Sequence, residues 1–149
     1  MSDLKATNVP EMPVVPRETL EAAVANTPFA QLLGATLTHY AFGKVELSIP
    51  FTQAVTQHHG FAHGAVLGFL ADSACAWAAA SAAGDVVTAE YKINLLAPAK
   101  GPILVGRGEV IKVTGRQVTA RAEVFSGVEG SFVLVAVALS TITRLGGNR

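Results

Sequence analysis

The chain has 149 residues, half of them hydrophobic and 15% charged, with 11 basic and 11 acidic side chains in balance. That length suits one domain with a real core, and the composition argues against both a nucleic-acid groove and a disordered chain. So little charge points to a surface partly covered by other subunits. The single cysteine, Cys75, excludes an intrachain disulfide and indicates a reducing compartment.

Residues 1–16 contain three prolines and no hydrophobic period, and they read as a flexible arm. They lack the apolar run of a secretory signal, so a soluble cytoplasmic protein is expected, with a single domain over residues 17–149. Arg17–Asn26 predicts a modest helix. Thr27 and Pro28 then supply a cap and a first-turn proline for a short helix that stops at Gly34. Ala35–Tyr40 predicts a strand. In the next strand Val45, Leu47, Ile49 and Phe51 alternate with Lys44, Glu46 and Ser48, the period of a half-buried strand.

After a loop over Thr52–Ala62, the run from Gly64 to Ala83 predicts one long helix, apolar on every side. It is long enough to raise a membrane span. Its Ala-rich composition, its lack of flanking Lys or Arg and the central Asp72 favour burial in protein instead. Asp72 is the only charged residue between Gly60 and Gly84. A buried carboxylate costs several kcal/mol unless it is paired or hydrogen-bonded, and a segment that accepts this usually has a chemical reason. The bland reading is that Asp72 and Ser73 cap a break in the helix.

Beyond Gly84 only strands are expected: Asp85–Leu96, Ile103–Val113, Gln117–Phe125 and Ser131–Leu145. Val118, Ala120, Ala122 and Val124 would face inward, and short connections make an antiparallel meander. One long apolar helix with about six antiparallel strands predicts an α+β fold in which the sheet curls around the helix.

The element order resembles the hotdog fold. Gln57-His58-His59-Gly60-Phe61-Ala62-His63-Gly64-Ala65, followed by Leu70-Ala71-Asp72, is similar to the signature of hotdog acyl-CoA thioesterases of the phenylacetate-degradation and 4-hydroxybenzoyl-CoA types. Thr88–Ala99 resembles the strand that ends in a proline there, and Gly108–Arg116 the strand and turn leading to the nucleotide. The likeness runs from about Thr27 to Leu145. It implies that Gly64 donates its N–H to the thioester carbonyl and that Gln57 adds a second polar contact. It also implies that Asp72 is the nucleophile or general base, that Thr88 helps hold the water, and that His63 orients the motif. Lys112, Val113, Thr114, Gly115, Arg116 and Gln117 would lie near the CoA moiety. Ala65 departs from the pattern, which usually has a second glycine.

The chemistry of the residues agrees with these roles. Thioester hydrolysis develops negative charge on the carbonyl oxygen, which N–H groups at a helix N-terminus stabilise. Asp72 could deprotonate water or attack the carbonyl itself, and the sequence leaves both open. Neither metal nor cofactor is required, CoA being part of the substrate. Gly64 and Asp72 are eight residues apart, about 12 Å along a helix axis, too far to serve one carbonyl. Two antiparallel copies of the helix would bring Gly64 of one subunit to Asp72 of the other. An obligate homodimer is therefore expected, with or without pairing into a tetramer, and acyl-CoA as its only other partner.

Other readings compete. His58, His59 and His63 invite a zinc site, but the Glu of the zincin motif is missing and Gly60 disfavours a helix there. Gln57 could satisfy loop backbone, Thr88 could be an ordinary strand residue, Arg116 could face solvent, and Cys75 reads as packing. A hotdog hydratase or dehydratase is the enzymatic alternative, and a non-catalytic acyl-CoA-binding protein the other.

Overall fold

The computed structural model describes residues 11–146; residues 1–10 and 147–149 lie outside the described residues, and with them most of the expected arm. Two short helices come first, α1 (Arg17–Ala25) and α2 (Pro28–Leu33). Leu20 and Val24, one turn apart, are the buried residues of α1. Pro28 occupies the first turn of α2, but Thr27 does not cap that helix with its side chain. Its hydroxyl instead donates to the Ala23 carbonyl, 2.8 Å away and one turn back in α1.

Six strands follow around one long helix: β1 (Thr36–Ala41), β2 (Lys44–Pro50), α3 (Gly64–Ala83), β3 (Val86–Leu95), β4 (Ile103–Thr114), β5 (Gln117–Gly127) and β6 (Val133–Arg144). They form one sheet in the order β1-β2-β4-β5-β6-β3, and every neighbouring pair is antiparallel. Helix α3 touches all six strands, so the sheet wraps it in the expected hotdog arrangement. The segment read as a loop also contains a 3-10 turn at Gln53–Val55, and a bridge between Thr56 and Ala62 closes it. Asp72 lies inside an unbroken helix, which removes the reading of a cap at a helix break.

The core forms where the strand period meets the helix. Val45, Leu47 and Ile49 point in from β2, and Val118, Ala120, Ala122 and Val124 from β5, each essentially inaccessible to solvent. Leu70, Ala71, Ala74, Cys75, Ala78 and Ala79 meet them from α3. A fully buried Leu or Ile of this kind contributes roughly 1.5–3 kcal/mol. Outside, the polar positions pair with one another: Arg107 Nε lies 2.7 Å from Glu46 Oε2, and Arg121 3.0 Å from Glu109. By length and composition α3 could cross a bilayer. Here it is the core helix of a sheet.

Two glycines set how deeply α3 sits. A Cβ on Gly106 would stand 2.7 Å from the Leu70 carbonyl oxygen, and one on Gly108 2.1 Å from that of Ala74. The helix backbone therefore rests on the bare backbone of β4, and no other residue fits there. Ser81 anchors the far end of the helix. Its buried hydroxyl accepts from the Gly43 N–H and donates to the Ala78 carbonyl, both at 2.7 Å. The Ser81 carbonyl in turn accepts from the Val14 N–H at 2.8 Å.

Candidate active site at the start and middle of the long helix

The first turn of α3 exposes N–H groups that no helical carbonyl can reach. His63 is the N-cap residue, and its Nδ1 accepts the Ala65 N–H at 3.0 Å. The Val66 N–H bonds the His63 carbonyl at 2.9 Å. Only the Gly64 N–H is left without a partner among the described residues. His63 thus orients the turn, and its Nδ1 acts as an acceptor.

Gly64 lines a cleft of about 340 Å³ together with Gln57, Phe61, Leu67 and the Leu95–Ala99 segment. Gln57 is held in place there by two contacts. Its backbone N–H donates to the Phe61 carbonyl at 2.8 Å, and its side-chain oxygen accepts the His59 N–H. Gln57 brings the one polar side chain among the residues that line the cleft. Gln57 and Gly64 both line this cleft.

Asp72 and Thr88 come together elsewhere. The Thr88 hydroxyl donates to Asp72 Oδ1 at 2.7 Å, which fixes one carboxylate oxygen and leaves the other without a hydrogen bond among the described residues. Neither residue lines the Gly64 cleft of the same chain. Cys75, one turn beyond Asp72, is fully buried. Burial, with the Asp72 carboxylate beside it, pushes its thiol up from 9.0 to about 12, so the thiol is inert near neutral pH.

Strand β3 supplies what the sequence reading missed. A bulge between Thr88 and Glu90 shifts its register, so Thr88, Tyr91 and Leu95 all turn toward α3. They meet the helix at successive turns. Thr88 bonds Asp72, the Tyr91 hydroxyl lies where a Cβ on Gly68 would be 3.0 Å away, and Leu95 Cδ1 lies equally close to such a Cβ on Gly64. Strict alternation from Thr88 would have turned Tyr91 outward, so the pattern alone hides it. Lys112–Gln117 form the exposed end of β4, the Gly115-Arg116 turn and the start of β5, and none of them lines the Gly64 cleft. Arg144 bonds this turn through both its backbone N–H and its guanidinium. His58 and His59 stack in the loop, exposed, and among the described residues no three His, Cys, Asp or Glu side chains could together hold a metal ion.

Residues 59–132 match the family model for the thioesterase superfamily. Among solved structures, a thioesterase family protein from Silicibacter pomeroyi is 36% identical, with a TM-score of 0.77; the match covers 82% of this chain and 92% of that one. A point mutant of the phenylacetic acid degradation protein PaaI from Thermus thermophilus is 32% identical, with a TM-score of 0.71, covering 79% of this chain and 99% of that one. The PaaI protein of the E. coli phenylacetic acid degradation operon shares the fold at 23% identity, with a TM-score of 0.79 and coverage of 88% and 94%. No curated protein matches the chain.

Proposed function

Because the chain belongs to the thioesterase superfamily, we propose that it is an acyl-CoA thioesterase, releasing a small or aromatic acid and free CoA. The observation that most supports this is the unpartnered N–H of Gly64, a residue that lines the same cleft as Gln57. The thioester carbonyl oxygen would accept that N–H, with Gln57 as a second polar contact. Negative charge growing on the oxygen then meets a donor at the positive end of a long helix. Asp72, oriented by Thr88, either takes a proton from water as it adds to the carbonyl carbon or attacks that carbon itself. The C–S bond breaks and the CoA sulfur leaves with a proton. The exposed turn over residues 112–117 would meet the CoA moiety.

The active unit is a homodimer with composite sites, with or without further pairing into a tetramer. Gly64 and Asp72 stand eight residues apart on one helix, about 12 Å along its axis, beyond the reach of a single carbonyl. The free edge of β3, where Leu95 and Leu96 are more than half exposed, suits antiparallel contact with a second copy. The buried free cysteine fits a reducing, cytoplasmic setting.

Thiol release from a panel of acyl-CoAs tests the reading. The wild type should turn over at least one member. Asp72→Asn should lose about 10² to 10⁴ of that rate, the usual contribution of a positioned acid–base group. Absence of turnover on the whole panel would leave an acyl-CoA-binding protein instead.

A further inference from the structure

One turn beyond Gly64, a side chain of β3 leans on the long helix. Tyr91 reaches inward from β3 and lays its hydroxyl on Gly68, one turn beyond Gly64 and one turn short of Asp72. Gly68 is what admits it. A Cβ at that position would come within 3.0 Å of the hydroxyl oxygen, closer than such contacts normally allow. A helix interior disfavours glycine, so a glycine at the one turn where a tyrosine leans on the helix has a steric reason to be there. Leu67, next to Gly68 along the helix, and Leu95, on the same strand as Tyr91, line the cleft; Tyr91 itself is 43% exposed, and its hydroxyl has no hydrogen-bond partner among the described residues.

We propose that Tyr91, seated on Gly68 one turn beyond the cleft, limits how far an acyl group can extend along α3 from Gly64. The assignment rests on the acyl-CoA reading above and adds its specificity. With Tyr91 in place, an acyl chain entering from Gly64 stops within about one helical turn. Shortening the side chain frees space along α3 toward Asp72. The function is steric and belongs to the ring, so removing only the hydroxyl changes little.

Non-hydrolysable thioethers of CoA separate this proposal from the question of hydrolysis. S-butyl-CoA and S-octyl-CoA are titrated by calorimetry into wild type, Tyr91→Phe, Tyr91→Leu and Tyr91→Ala. The wild type should prefer the butyl thioether. In Tyr91→Ala the octyl-to-butyl affinity ratio should rise about tenfold or more, the scale on which pockets discriminate added methylenes. Tyr91→Leu, which keeps an apolar side chain for packing, should show a smaller rise in the same direction, and Tyr91→Phe should stay within about twofold of wild type. Unchanged ratios in folded Ala and Leu variants would overturn the proposal, as would failure of the wild type to bind either thioether. Binding as expected without turnover on acyl-CoAs would sink the hydrolysis reading alone. Turnover with unchanged length selectivity would sink only the role of Tyr91.

Discussion

Asp72 has two close neighbours, Thr88, which donates a hydrogen bond to it, and Cys75, whose thiol feels its charge. Thr88→Val removes the 2.7 Å hydrogen bond to the carboxylate and keeps the side chain's shape. Turnover should fall about tenfold, the worth of one such bond, while the Asp72 variant loses far more. An unchanged kcat in Thr88→Val would show that the bond only stabilises the strand. Cys75 touches no solvent, and its thiol is held up at about 12 by burial first and the neighbouring carboxylate second. Below pH 9 folded and unfolded chains both keep this proton, and the buried thiol contributes fully to stability. Between about pH 9 and 12 the unfolded thiol ionises first, so stability falls as pH rises through that window. Burial also raises the Tyr40 hydroxyl, which acts in the same direction. Urea midpoints of Cys75→Ala should therefore decline less steeply in this range than those of wild type, and iodoacetamide at neutral pH should label Cys75 only in the unfolded chain.

Helix α3 depends on its cap and on the strand beneath it. His63→Ala removes the acceptor for the Ala65 N–H and should cost about 1 kcal/mol, with Asn at that position restoring most of it. Gly108→Ala would force a methyl onto the Ala74 carbonyl oxygen, and about 3 kcal/mol of lost stability is expected from such overpacking. Chemical denaturation checks both variants, and a neutral Gly108→Ala would mean that α3 can lift from β4. These elements also show what could be read in advance. Alternation in Lys44–Phe51 and Gln117–Phe125 gave the strand faces, and the unbroken apolar run after His63 gave the helix. Motif likeness singled out Gln57, Gly64, Asp72 and Thr88, but the hydrogen bond between Thr88 and Asp72 was not foreseen. Two further things escaped. The bulge beside Thr88 breaks the period of β3, so Tyr91 could not be assigned a side. The mid-helix Gly68 means nothing until the residue opposite it is known.

At the scale of the whole molecule, Gly64 and Asp72 face separate surroundings in one chain, so the proposed chemistry requires two. Sedimentation should find a dimer. Mixing subunits bearing Gly64→Pro, which deletes the open N–H, with subunits bearing Asp72→Asn should recover up to about a quarter of wild-type turnover, since a mixed dimer keeps one intact composite site. No recovery after exchange would place both groups in one subunit's site. The sheet order gives the dimer a further meaning. Strands β4, β5 and β6 follow one another in both sequence and space, whereas β3, with Thr88 and Tyr91, has β6 as its one strand partner in the sheet. An edge strand held on one side is among the first parts of a fold to open. A second subunit on its free side would turn that edge into an interior strand. Dilution would then loosen the strand that orients Asp72 as well as separate the subunits, so specific activity should fall with enzyme concentration while most of the sheet stays closed.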